Sequence, residues 1–213
     1  MRGKSERHRA ARAKDRGTTR SNAVNTTDPD SKVMQQVART GSVQGYNTQF
    51  AVTDDHLVVG VHITNDANDY SSFLPTLEQA HQHALIFDRT IDMVLMDAGY
   101  FTDTNLTAPG PDRLIAPGKN RDVHITARQQ PTSGPPPADL SPQEAMAYRL
   151  RDPANIERYK RRGATVEPVF GHLKNRIRFR RLSRRGIGAA SAELHFAAAI
   201  LNLLRLRAAQ PAT

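Results

Sequence analysis

Two short apolar runs, Leu57-Val58-Val59-Gly60-Val61-His62-Ile63 and Ile91-Asp92-Met93-Val94-Leu95-Met96, bracket a stretch whose apolar residues recur at helical spacing. A nearly continuous apolar run of this length suits a strand covered on both faces, and a helix between two such strands points to an α/β fold. The first run is preceded by Thr48-Gln49-Phe50-Ala51-Val52 and an Asp54-Asp55 turn, so the pair reads as a hairpin whose second strand is central and buried on both faces. Between the runs, Asn68 and Asp69 are candidate N-caps. Leu74, Leu77, His81, Ala84 and Leu85 then share one helical face, with Pro75 tolerated in the first turn. A short helix from Asp103 and a strand at Arg113-Leu114-Ile115-Ala116-Pro117 follow. Residues 125–143, with Pro131, Pro135, Pro136, Pro137 and Pro142, read as a long loop or insertion. Helices resume near Ser141. The last one, from about Ala189 to Arg207, places Leu194, Ala197, Ala198, Leu201 and Leu204 on one side; Phe196, Ile200 and Leu203 widen that side, which predicts a mostly buried helix. The architecture would want one more strand at its start, and residues 1–30 do not supply it.

Charge is concentrated at two places. Residues 1–20 carry eight Lys/Arg and two acids, residues 149–185 carry thirteen and three, and the remainder is net acidic within an overall +9. Basic blocks flanking an acidic middle suit a polyanion held at defined points. The N-terminal block reads equally well as a solvated tail, so residues 1–30 are expected to be a disordered basic segment and residues 31–210 the domain. Having no cysteine, the chain excludes disulfides, thiolate metal sites and cysteine nucleophiles. No apolar stretch approaches the ~20 residues of a membrane span and no secretory signal opens the chain, so the expectation is a cytoplasmic protein with no membrane partner.

Two carboxylates stand out. Asp97 ends an apolar strand at a Gly-containing turn, where α/β sheets place their functional crevices and where its oxygens could take a hard cation; a plain turn aspartate reads the same way. Glu167 lies before Pro168. If its segment is helical, Val166, Val169, Phe170, Leu173 and Ile177 form an apolar stripe beside a row of Glu167, Gly171, Lys174, Arg178 and Arg181. That row could join a metal-binding acid to phosphate-binding cations, or it could be a first-turn acid followed by solvated cations, with Pro168 marking a helix start. The eight histidines show no metal-ligand spacing.

Several segments occur in a telling order: Thr27-Asp28-Pro29-Asp30-Ser31, Gly45-Tyr46-Asn47-Thr48-Gln49, Asn68-Asp69, Asp97-Ala98-Gly99-Tyr100, Val166-Glu167-Pro168-Val169-Phe170-Gly171-His172-Leu173-Lys174 and Arg185-Gly186. Over roughly residues 25 to 207 the chain resembles the C-terminal catalytic part of DDE transposases of bacterial insertion sequences, in the group with a Tyr–Arg–Glu–Lys signature. The resemblance implies an RNase H-like mixed sheet with flanking helices. It makes Asp97 the second catalytic acid and Glu167 the third, both ligands of two Mg²⁺ (or Mn²⁺) ions that promote attack on DNA phosphodiesters. Tyr159, Arg162 and Lys174 match the rest of the signature, with four residues rather than three between Arg162 and Glu167. They are expected, with Arg178 and Arg181, to contact DNA, and self-association is a further expectation. The family's first Asp lies on a first strand upstream of Thr27. Asp15, Asp28 and Asp30 precede no such strand and follow no apolar run, so the resemblance implies an N-terminally truncated catalytic domain with impaired cleavage and strand transfer. The alternative is a non-catalytic DNA-binding relic that modulates a full-length transposase.

Overall fold

A computed structural model describes residues 25–35 and 42–210. The expected disordered segment therefore lies largely outside the described residues. Its last part, 25–30, is tied down: Asn25 Nδ2 donates to Ser31 Oγ at 3.1 Å, and the Thr27 amide donates to Asn25 Oδ1 at 2.9 Å.

The strands form three antiparallel or parallel pairs. β1 (Lys32–Gln35) pairs antiparallel with β2 (Ser42–Gly45), a ribbon too short and polar to announce itself in the sequence. β3 (Asn47–Val52) pairs antiparallel with β4 (Val58–Thr64) across the Asp54-Asp55 turn, with a register irregularity at Ala51/Val52. β5 (Met93–Met96) pairs in parallel with β6 (Asp112–Ile115), with residues 97–111 forming the crossover between them. Among the described residues no backbone ladder joins these pairs.

β4 was expected at the centre of a sheet. It is covered on both faces, by α1 (Phe73–Ile86) and the C-terminal helix, but it has only β3 as a strand neighbour. Side chains close its other edge. Gln79 Oε1 accepts the Val61 amide at 3.0 Å, His83 Nδ1 lies 2.8 Å from the Val59 carbonyl, and Asn202 both accepts from the Val58 amide and donates to its carbonyl at 2.8 Å. An edge capped this way offers no template for another strand.

The inner face of α1 differs from the expected one. Phe73, Thr76 and Ala80 are buried, while Leu74 and Leu85 face solvent. The reason is Gly60: a Cβ there would stand 2.6 Å from the Thr76 carbonyl, so the helix lies directly on the strand and small residues must form the contact. Thr76 spends its hydroxyl locally, on the Ser72 carbonyl at 2.7 Å. Asp69 holds the N-cap position of a single 3₁₀ turn, Tyr70–Ser72, that leads into this helix, and Ser72 that of the helix itself, neither with a side-chain cap bond.

After β5, α2 (Asp103–Thr107) is capped by Thr102. α3 (Asn120–Gln129) takes residues 125–129 out of the expected loop, because the prolines begin only at Pro131. α4 (Pro142–Leu150) starts at a Ser141/Glu144 capping box, where each residue satisfies the other's amide. α5 (Pro153–Gly171) runs straight through Pro168 into a π-helical turn, His172–Arg176. α6 (Ile187–Ala209) closes the chain.

One cluster of the core gathers Val58, Val61 and Ile63 of β4 with Val169, Leu173, Leu194, Ala197, Ala198 and Leu201; a second surrounds Leu114, Leu150 and Tyr159. The fully buried members of such clusters each contribute roughly 1.5–3 kcal/mol. α6 buries Ala190, Leu194, Ala197, Ala198 and Leu201 but leaves Phe196 and Leu203 outside, so the expectation of a mostly buried helix fails on that side. It is 23 residues long and 18 consecutive residues of it average a hydropathy of 1.5, which corrects the expectation that no segment reaches membrane-spanning length; the inner face is nevertheless committed to the core against β4.

Candidate active site

Asp97 follows β5 and adopts an extended conformation at the N-cap of the Ala98–Tyr100 turn, where its Oδ1 accepts the Gly99 amide at 3.0 Å. The side chain is half exposed, and Oδ2 lies 4.0 Å from Arg162 of α5. One residue earlier, the Met96 carbonyl accepts the hydroxyl of Tyr159 at 2.9 Å. α5 is thereby fastened to the strand end that presents Asp97.

The segments singled out in the sequence converge on two polar clusters. In the first, Asp69 Oδ1 accepts Asn47 Nδ2 at 2.6 Å and Gln49 Nε2 at 2.8 Å, while the Tyr100 hydroxyl donates to Gln49 Oε1. These bonds tie β3 to the turn after β5, across which no backbone ladder runs. Asp69 Oδ2 lies 2.7 Å, and Asp97 Oδ1 3.2 Å, from the point where a Cβ on Gly99 would stand, so only glycine lets the two carboxylates flank this turn undisturbed. Burial, reinforced by the charges of Asp69 and Asp97, holds the Tyr100 phenol well above its usual range. The sequence reading missed Asp69 here because an acid before a helix reads first as a cap; its separation from Asn47 and Gln49 conceals the contact.

The second cluster clamps the start of α6. The Tyr46 hydroxyl donates to the Asp28 carboxylate at 2.8 Å, Asp28 Oδ1 accepts the Gly186 amide at 3.1 Å, and Asp30 Oδ2 accepts the Ile187 amide at 2.9 Å. Burial, with Asp28 beside it, pushes the Tyr46 phenol up to about 12. Asp28 and Asp30 are thus spent on amides at a helix N-terminus, where carboxylates are favoured.

Glu167 is exposed on α5, its Oε1 3.4 Å from the position of a Cβ on Gly163, and it lies just over one turn beyond Arg162 (about 7.5 Å along the axis). Among the described residues its carboxylate has no hydrogen-bond or ion-pair partner. α5 spans the space between the two strand pairs: Tyr159 bonds β5, and Phe170 stacks on Phe50 of β3 at 5.4 Å and 14°. Tyr159, expected at the DNA surface, is 1% exposed, and burial raises its phenol pKa; its hydroxyl is spent on β5, and the Arg162 guanidinium lies over its ring at 5.7 Å.

The helix ends before Arg178, which has φ of 60°. Arg178 and Arg181 therefore do not continue the Glu167 row as a helical face. They belong to an irregular segment that begins at the π-turn, a feature common at functional sites. Lys174, Arg178 and Arg181 are exposed and, among the described residues, form no ion pair. Lys174 lies over the Phe170 ring at 5.9 Å.

Carboxylate oxygens are the donors a hard divalent cation takes, but the described residues contain no group of three or more acids or histidines set to hold a metal, and Arg162 faces Asp97. As arranged, they do not make a complete two-ion centre.

An α/β domain that displays an acid at a strand end beside an unpaired arginine-rich segment has the makings of a protein that acts on a polyanion. The chain belongs to the transposase DDE domain family, whose model matches residues 21–203. Members of that family act on DNA and generally use divalent metal ions. Neither the curated proteins nor the solved structures yield a match.

Proposed function

We propose that this chain is the C-terminal catalytic part of an insertion-sequence transposase, RNase H-like in fold, with Asp97 and Glu167 as two of the acids that hold Mg²⁺ or Mn²⁺. What supports the reading most is the fastening of α5, the helix that bears Glu167, to the strand end that bears Asp97. When bound, the ions supply activation of the attacking oxygen and stabilisation of the leaving one. The chain's own residues do the rest. Tyr159 positions the strand end, Arg162 holds Asp97 until a phosphate competes for the guanidinium, and Lys174, Arg178 and Arg181 neutralise the DNA backbone.

Catalysis by this chain is impaired in this reading, because Arg162 faces Asp97 and both Asp28 and Asp30 are engaged at the start of α6. Cleavage and joining of DNA carrying the element's ends, with Mg²⁺ or Mn²⁺, tests it. Little or no strand transfer is expected, alongside DNA binding that weakens with salt; robust metal-dependent cleavage abolished by Asp97→Ala would refute the impairment. The second reading, a non-catalytic DNA-binding relic that modulates a full-length transposase, is favoured by Arg162 lying against Asp97 and by the lack of a three-ligand group among the described residues. It requires that Asp97→Asn and Glu167→Gln leave Mg²⁺ affinity and any nicking unchanged.

A further inference from the structure

Between the π-turn and α6, residues 177–186 divide between core and solvent. Ile177, Phe179 and Leu182 pack against the core cluster of β4, while Arg178, Arg180, Arg181, Arg184 and Arg185 are exposed. Five arginines within residues 178–185 repel one another, so an irregular segment of this kind needs holding. Its two ends are fastened. At the first, the Phe179 amide donates to the Leu173 carbonyl at 2.9 Å and Arg180 Nε to the Lys174 carbonyl at 3.2 Å; at the second, Asp28 and Asp30 take the Gly186 and Ile187 amides. The stretch between is held by one side chain of α6. Glu193 Oε1 accepts the Ser183 hydroxyl at 2.6 Å, and Oε2 accepts the amides of Ser183 and Arg184 at 2.8 and 3.0 Å. Partial burial works against its charge, yet these bonds hold the carboxyl below the usual carboxylate range, so it is ionised at neutral pH.

We propose that Glu193 is the positioning residue of this basic segment: by fixing Ser183 and Arg184 it sets Arg181, Arg184 and Arg185 where phosphates of duplex DNA can meet them together. The proposal rests on the reading of the segment as a DNA-binding element and adds the group that orders its arginines before DNA arrives. An acid set here for its charge alone would weaken the hold on a polyanion and would be expected to pair with a guanidinium. Among the described residues Glu193 forms an ion pair with none of the five arginines; its oxygens are spent on two amides and a hydroxyl. A segment free to move loses conformational freedom when it binds, and one already held loses little, so the bonds to Glu193 favour binding although its charge opposes it. The two effects have opposite signs, which makes them separable.

Two substitutions part position from charge. Glu193→Gln removes the charge and keeps the bonds, because its carbonyl oxygen can accept both amides while its NH₂ donates to the Ser183 hydroxyl oxygen. Glu193→Asp keeps the charge and falls one methylene short of all three bonds. Fluorescence anisotropy of the full chain with a labelled DNA duplex over a salt series measures both. Glu193→Asp is expected to bind roughly 8-fold more weakly at about 0.1 M salt, with the slope of log K against log salt lowered by about 0.9, as loss of about one phosphate contact requires. Glu193→Gln is expected to bind at least as tightly as the natural chain, with the natural slope. The slope is what a merely structural fault would not move, since a fraction of unfolded protein lowers the apparent affinity alike at every salt concentration. Glu193→Gln decides the matter even if Glu193→Asp does not fold. Binding by Glu193→Asp that matches the natural chain, a loss in Glu193→Gln, or weaker binding with an unchanged slope would each overturn the role of Glu193 alone. A natural chain without salt-dependent affinity for the duplex would overturn the DNA-binding reading and this proposal together.

Discussion

Gly186 carries more of the fold than its size suggests. It holds φ of 80° and ψ of 137° at the N-cap of α6, a combination that residues with a side chain adopt only under strain. Its amide is at the same time the donor that Asp28 needs, so the backbone cannot relax without releasing the Tyr46–Asp28 clamp. Gly186→Ala is expected to lower stability by about 1–3 kcal/mol. Gly188, two residues on, is helical and has open space where a Cβ would stand, so Gly188→Ala should be neutral or stabilising by up to ~1 kcal/mol. Urea unfolding of both variants separates the conformational requirement from mere bulk: equal effects at the two positions would show that the left-handed cap is not what matters.

At the level of elements, α5 shows how a helix passes through a proline. Pro168 has no N–H for the Ala164 carbonyl, and His56, held at φ of 64° in the β3–β4 turn, brings its Nε2 to 3.3 Å from that oxygen. Its Nδ1 lies 3.1 Å from an Arg205 guanidinium nitrogen, which assigns the hydrogen to Nε2 and the acceptor role to Nδ1. If His56 repairs the gap that Pro168 makes, His56→Ala should cost about 1 kcal/mol in the natural chain and clearly less beside Pro168→Ala, where the helix regains its own donor. A double-mutant cycle by thermal or urea unfolding reads the difference; additive effects would sink the account. Pro168 also shows where sequence reading strayed, since a proline before an apolar stripe reads as a helix start. The order of strands and helices was legible because β4, β5 and the capping box at Ser141 announce themselves through apolar runs and local chemistry. The inner face of α1 was not, because Gly60 made room for Thr76 and Ala80, and a close approach of backbones leaves no hydrophobic pattern. Nor was the exposed side of α6, whose Phe196 and Leu203 look like core residues until a neighbour fails to cover them.

For the whole molecule, the site was legible as a set of segments but not as a geometry. Asp97 and Glu167 could be picked out from strand-end position and signature, whereas the use of Asn47, Gln49, Asp69 and Tyr100 as a brace between strand pairs rests on contacts distant in sequence. The charge map was legible too, and it sets the last prediction. Thirteen basic residues lie between 149 and 185, yet several are already occupied: Arg149 pairs with Asp112 at 2.7 Å, Lys160 with Glu157, and Arg162 faces Asp97. Arg178 and Arg181, like Lys174, carry no such partner among the described residues, so their charge is available to phosphate without first breaking an ion pair. Each should therefore release about one counterion, lowering the slope of log K against log salt for duplex DNA by about 0.9 when changed to alanine. Arg149→Ala should leave that slope nearly unchanged while weakening the hold of α4 on β6. Fluorescence anisotropy over a salt series measures all three variants. An Arg149→Ala slope change as large as that of Arg178→Ala would mean that local ion pairing does not govern which cations DNA recruits, and that binding follows net charge alone.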